Sequence, residues 1–141
     1  MKHFVFTGAT SGMGLVSARA LAARDKSFKI IVGARTPGTA VNLRQAIPDE
    51  QLLVLQLDTS SLSSVKTFGS DVTNELKGAS IAGLALNAGA QFVSETALSE
   101  DGYDLTFATN VLGHMALYNA LAANMTSNTC LLYTSPSPRD A

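Results

Sequence analysis

The run Thr7-Gly8-Ala9-Thr10-Ser11-Gly12-Met13-Gly14 has the residue types of a turn that cradles a pyrophosphate. Gly8 permits a sharp turn at a strand end. Gly12 lets backbone approach an anion with no Cβ in the way, and Gly14 lets the next helix pack close to the strand. The free N–H groups of that helix then face the anion, with Thr10, Ser11 and Met13 completing the cradle. No Lys-Ser/Thr follows Gly14, which excludes a P-loop.

The end of the second strand bears on which dinucleotide fits. An NAD-type site places a carboxylate about 20 residues past the glycines, on the ribose hydroxyls. Here that stretch reads Val32-Gly33-Ala34-Arg35-Thr36 and holds no acid. A carboxylate repels a 2′-phosphate, whereas an arginine attracts it through charge-assisted hydrogen bonds. Arg35, with Thr36 and Thr10 as lesser candidates, therefore argues for NADP(H). The missing acid also speaks against a Rossmann-like methyltransferase.

Alternating strands and helices must position these groups. Residues 3–6, 29–33, 52–57 and 81–86 read as short apolar strands. Helical periodicity occupies residues 12–24, with Leu15, Ala18, Leu21 and Ala22 on its apolar positions, and residues 39–46, ended by Pro48. It returns at residues 61–76, where Leu62, Val65, Phe68, Val72 and Leu76 share a face, and over residues 101–123. Asp101 and Asp104 are expected to favour the positive end of that last helix. The predicted fold is α/β: a Rossmann-type, doubly wound parallel sheet, truncated after about four βα units, in strand order 3-2-1-4.

Composition sets the outer limits. With 141 residues, 46% hydrophobic and 15% charged, the chain can bury one core and reads as globular. A net charge of −1 gives no footprint for nucleic acid or an anionic membrane. His3, His114 and Cys130 lack metal-ligand spacing, so no metal is expected. One cysteine allows no internal disulfide, and a reducing, cytoplasmic setting is the expectation. No apolar stretch reaches the roughly 18 residues of a membrane span.

Four segments, in order, resemble the short-chain dehydrogenase/reductase family. They are the TGxxxGxG spacing of Thr7 to Gly14, Leu57-Asp58-Thr59-Ser60, Leu86-Asn87-Ala88-Gly89, and Thr109-Asn110-Val111-Leu112-Gly113-His114. The likeness runs through nearly all of residues 1–125. Its wording is closest to retinol-dehydrogenase-like and protochlorophyllide-reductase-like members. The resemblance implies that Asp58 contacts adenine and that Asn87, Ala88 and Gly89 line the cofactor. It implies a catalytic part for Asn110, supporting a water-linked proton relay through its helix backbone. His114 is expected to be a structural helix histidine. The family's acid–base pair is a Tyr with a Lys four residues on. Here Tyr103, Tyr118 and Tyr133 are followed at that spacing by Phe107, Ala122 and Ser137.

The resemblance thus implies a longer parent enzyme that moves hydride between NADP(H) and a small-molecule carbonyl or alcohol. Family members of this kind are often homo-oligomers. The present chain is expected to be poorly soluble and to bind cofactor weakly, without turnover. The alternative is a non-catalytic dinucleotide-binding regulatory module. From Cys130 the chain becomes Pro/Ser-rich, and residues 130–141 resemble translated sequencing-adapter sequence. A dinucleotide-binding domain is therefore expected over residues 1–129. Residues 130–141 are expected to be a non-native, irregular tail that leaves the fourth strand with an open edge.

Overall fold

The computed structural model describes residues 1–90 and 97–133. Five parallel strands form one sheet: β1 (Lys2–Thr7), β2 (Phe28–Ala34), β3 (Leu52–Gln56), β4 (Ile81–Leu86) and β5 (Cys130–Tyr133). Their order is β3-β2-β1-β4-β5, so the expected 3-2-1-4 arrangement holds and a fifth strand extends it. Val5 pairs with Ile31 on one side and Leu84 on the other, placing β1 at the centre.

Side chains alternate between the faces of a strand, and that period divides the core in two. Val5, Ile31 and Leu84 point to the layer formed by α3 (Leu62–Leu76) and α5 (Gly113–Leu121), where Val65, Phe68, Val72, Leu117 and Leu121 are buried. Phe6, Ile30 and Val32 point to the opposite layer, with Ala18 and Ala22 of α1 (Gly12–Arg24) and Leu43 of α2 (Val41–Ala46). The buried line of α1 is Gly14, Ala18 and Ala22, spaced i, i+4, while Leu15 and Leu21 are half-buried at its margin. Small residues bring this helix close to the sheet, which apolar periodicity alone does not reveal.

Four expectations need correction. The region over residues 101–123 is not one helix. It divides into α4 (Leu105–Phe107), a π-helical turn (Ala108–Leu112), α5 and a closing 3-10 turn (Ala122–Asn124). Asp104 caps α4, accepting the Phe107 N–H at 2.8 Å, but Asp101 instead accepts the Leu62 N–H of α3 at 2.9 Å. A carboxylate from a distant loop thus serves the other helix's orphan donor. The second helix, expected over residues 39–46, begins only at Val41, and Thr39 belongs to a 3-10 turn over residues 37–39.

The fourth correction concerns the start of the tail. Cys130–Tyr133 forms β5 and pairs with β4 from Gly83 to Leu86, closing the edge expected to be open. All four residues are exposed. The strand is held by its backbone ladder, and an unpaired edge is a template for any short β-prone run. The rest of the expected tail, residues 134–141, lies outside the described residues. Among the described residues, no helix is long and apolar enough to cross a membrane.

Candidate functional site

The carboxyl ends of β1, β2 and β4 meet the N-terminus of α1, the crevice where open α/β sheets take their ligands. Gly8 follows β1 with φ +68°, in the left-handed region, and a Cβ there would overlap the backbone of Ala88. Gly14 sits in the first turn of α1, against the carbonyl of Gly8, where a side chain has no room. Around Gly12 there is open space instead, and Ser11, Gly12 and Met13 are all exposed. Thr10 is half-buried beside them.

The start of α1 is bare. Ser11 occupies the cap position in an extended conformation, but its side chain makes no capping hydrogen bond. No acid lies in the first turn. A helix N-terminus carries unsatisfied N–H donors and partial positive charge, so this end is available to an anion. By contrast, Ser61 caps α3 by accepting the Ser64 N–H at 3.2 Å. Glu100 also reaches that end, accepting from the Ser61 hydroxyl.

Arg35 lies immediately beyond β2 and is exposed, as is Thr36. Asp58 lies beyond β3, half-buried. Its Oδ1 accepts from the Ser60 backbone N–H at 2.9 Å and the Ser60 hydroxyl at 2.7 Å. The turn after β4 is tied to β1. Asn87 and Ala88 both donate backbone N–H to Thr7 Oγ1, at 3.0 and 2.9 Å, and Asn87 Nδ2 donates to the Gly8 carbonyl at 3.3 Å. Gly89 is exposed at the tip of this turn.

Asn110 stands in the π-helical turn, where Gly113 N–H reaches back to the Ala108 carbonyl. Its side chain grips the β4 turn in two-pronged fashion: Oδ1 accepts the Ala90 N–H at 2.8 Å and Nδ2 donates to the Ala90 carbonyl at 2.7 Å. The Asn110 side chain is thus committed to backbone, and its own carbonyl faces His114 Nδ1 at 3.1 Å and the Tyr133 hydroxyl at 3.0 Å. Gly113 packs against the Thr59 carbonyl, locking this helical run to the loop after β3.

The predicted cofactor-binding residues therefore lie on the loops and the α1 start at the strands' carboxyl ends, and Asn110 reaches the β4 turn from the π-turn. Sequence reasoning missed Thr7 as the acceptor joining two turns, and His114 as its partner at 2.9 Å. Burial lowers the proton affinity of His114, outweighing the hydrogen bond to the Asn110 carbonyl, which raises it. The neutral ring is the form the fold favours. Its contribution to stability is present above the ordinary imidazole range and is lost as pH falls through the lowered value. Among the described residues no group of His, Cys, Asp and Glu could hold a metal ion.

Residues 2–130 match the family described as short chain dehydrogenase. The chain is 38% identical over 133 residues to the chloroplastic short-chain dehydrogenase TIC 32 B of Brassica napus, covering 90% of this chain and 40% of that protein. It is 33% identical over 141 residues to retinol dehydrogenase 14 of Mus musculus, covering 90% and 41%. Protochlorophyllide reductase of Daucus carota is 32% identical over 121 residues, covering 83% and 30%. A crystal structure of an uncharacterized protein from Mycobacterium paratuberculosis superposes with a TM-score of 0.76 at 35% identity, covering 89% of this chain and 43% of that one. The chain spans well under half the length of these relatives. With the family's match running from the first strand to the start of the fifth, this chain belongs to the short-chain dehydrogenases.

Proposed function

We propose that this chain is the NADP(H)-binding part of an oxidoreductase that moves hydride between the nicotinamide and a small-molecule carbonyl or alcohol. The observation that carries the reading is the uncapped, acid-free N-terminus of α1, beside a β2 end that presents Arg35 and no carboxylate. The pyrophosphate would lie on the N–H groups around Gly12 and Met13, with Thr10 and Ser11 flanking it. Arg35 would take the 2′-phosphate, aided by Thr36, and Asp58 the adenine. Asn87, Ala88 and Gly89 would border the nicotinamide half. The cofactor supplies the hydride chemistry, and the protein's part is binding and orientation.

Asn110 is the catalytic residue in this reading, acting through its backbone carbonyl in a proton relay. Its side chain holds the π-turn against Ala90, so the carbonyl is fixed where it stands. The sequence contains no Tyr with a Lys four residues on, and so no acid–base pair of the family's kind. The parent enzyme, as a homo-oligomer in a reducing compartment such as the cytoplasm, would supply that pair. Residues 130–141, the first four of which form β5, would be foreign to the natural protein.

Purified 141-residue chain with NADPH and a panel of aldehydes and ketones should show no NADPH oxidation above background while still binding NADP+. A general acid–base group is worth about 10²–10⁴-fold in rate. Turnover that survives Asn110→Ala would contradict this assignment of roles. Binding of neither NADP+ nor NAD+ would favour a reading without cofactor.

A further inference from the structure

His114 is completely buried, and the cofactor chemistry gives it nothing to do. Its partners nevertheless fix its state. Thr7 Oγ1 accepts the N–H groups of Asn87 and Ala88, which can only donate. A hydroxyl has two acceptor lone pairs and one proton. Both lone pairs are taken, so the Thr7 proton has one remaining partner, His114 Nε2 at 2.9 Å. Nε2 is then the bare nitrogen, and Nδ1 carries the hydrogen that it donates to the Asn110 carbonyl at 3.1 Å. One imidazole joins the end of β1, the turn after β4 and the π-turn of Asn110, which together frame the glycine turn.

We infer that His114 is a positioning residue for the dinucleotide: its neutral, Nδ1-protonated ring clasps the β1 and β4 turns in register, and its protonation opens the clasp. This rests on the proposed cofactor reading. A protonated ring would turn Nε2 into a donor aimed at an oxygen whose lone pairs are already used. The groups around the ring do little to oppose that change. β1 and the β4 turn offer the Thr7 hydroxyl and the Asn87 and Ala88 amides. β5 offers the Tyr133 phenol, edge-on with ring centroids 6.1 Å apart. The loop after β3 carries Asp58, turned toward Ser60. Of the charges on α3, Lys66 and Asp71 are exposed and Glu75 is half-buried. None of these charged groups shifts His114, whose proton affinity is set by burial and by the Asn110 carbonyl.

The test uses the ¹⁵N-labelled 141-residue chain, with imidazole and amide spectra and NADP+ titrations between about pH 5 and pH 8. His114 should show the Nδ1–H tautomer near neutrality. The Asn87 and Ala88 amides should shift together with a midpoint below the ordinary imidazole range. NADP+ affinity should fall by about tenfold through the same midpoint, a change the clasp's loss would produce. His114→Gln can accept from Thr7 and donate to the Asn110 carbonyl, and should keep the affinity while losing the pH step. His114→Phe should lose affinity at every pH. An Nε2–H tautomer, or Asn87 and Ala88 amides that ignore the titration, with NADP+ binding intact, would overturn the positioning role alone. The expected tautomer and coupled amides in a chain that binds no NADP+ would overturn the cofactor reading and the positioning role with it.

Discussion

Gly14→Val is expected to abolish measurable NADP+ binding and to lower stability by about 1–3 kcal/mol, the usual cost of overpacking a closed site. The position has no room: a Cβ would collide with the Gly8 carbonyl, which is backbone and cannot rotate aside. Gly8 cannot retreat freely either, because the space beside it, where a Cβ would stand, is filled by the Ala88 backbone. The turn would have to lift away from β4, pulling the α1 N–H groups out of line. Urea unfolding and an NADP+ titration on the same sample check both parts. Wild-type affinity in the valine variant would show that the dinucleotide does not use this turn.

Arg35→Asp should reverse the cofactor preference. The substitution replaces a cation with the acid that NAD-type sites carry, so the 2′-phosphate meets repulsion where it met attraction. NADP+ binding should weaken by roughly tenfold to a hundredfold, the worth of one charge-assisted contact. NAD+ binding should hold or improve. Arg35 is exposed, so its loss leaves the core untouched and the fold should melt as before. Equal NADP+ binding before and after the change would remove Arg35 from the phosphate.

The sheet was legible because its signals are local. Each apolar run that ends in Gly, Arg or Asn-Ala-Gly became a strand within a residue or two of its expected limits. The layer of α3 was equally plain, since Val65, Phe68, Val72 and Leu76 mark one face at helical spacing and all are buried. The helical region around Asn110 was not. Its apolar periodicity runs on without a Pro or Gly-rich break before Gly113, yet the backbone widens to a π-turn there. That widening accompanies contacts no local pattern encodes: Ala90 against the Asn110 side chain, and Thr59 against Gly113.

The same limit explains the site. The glycine turn and Arg35 are short-range features, and their positions followed from spacing. The link from Thr7 to His114 spans 107 residues, and only the folded sheet brings the two together. Asp101 was assigned to the nearest helix by sequence distance, whereas its carboxylate serves α3, 39 residues back. β5 escaped notice for a different reason. Its composition resembles a foreign tail, and a backbone ladder asks little of the side chains it carries.

The central claim is that the bare α1 N-terminus and Arg35 bind NADP(H). The most direct measurement is an amide-resolved NMR titration of the unmodified chain with NADP+, beside one with NAD+. NADP+ should move the amides of Gly12, Met13, Gly14 and Arg35 together at one affinity, and NAD+ should bind more weakly and leave Arg35 nearly unmoved. Shifts elsewhere on the molecule with the glycine turn silent, or identical responses to both dinucleotides, would contradict the claim.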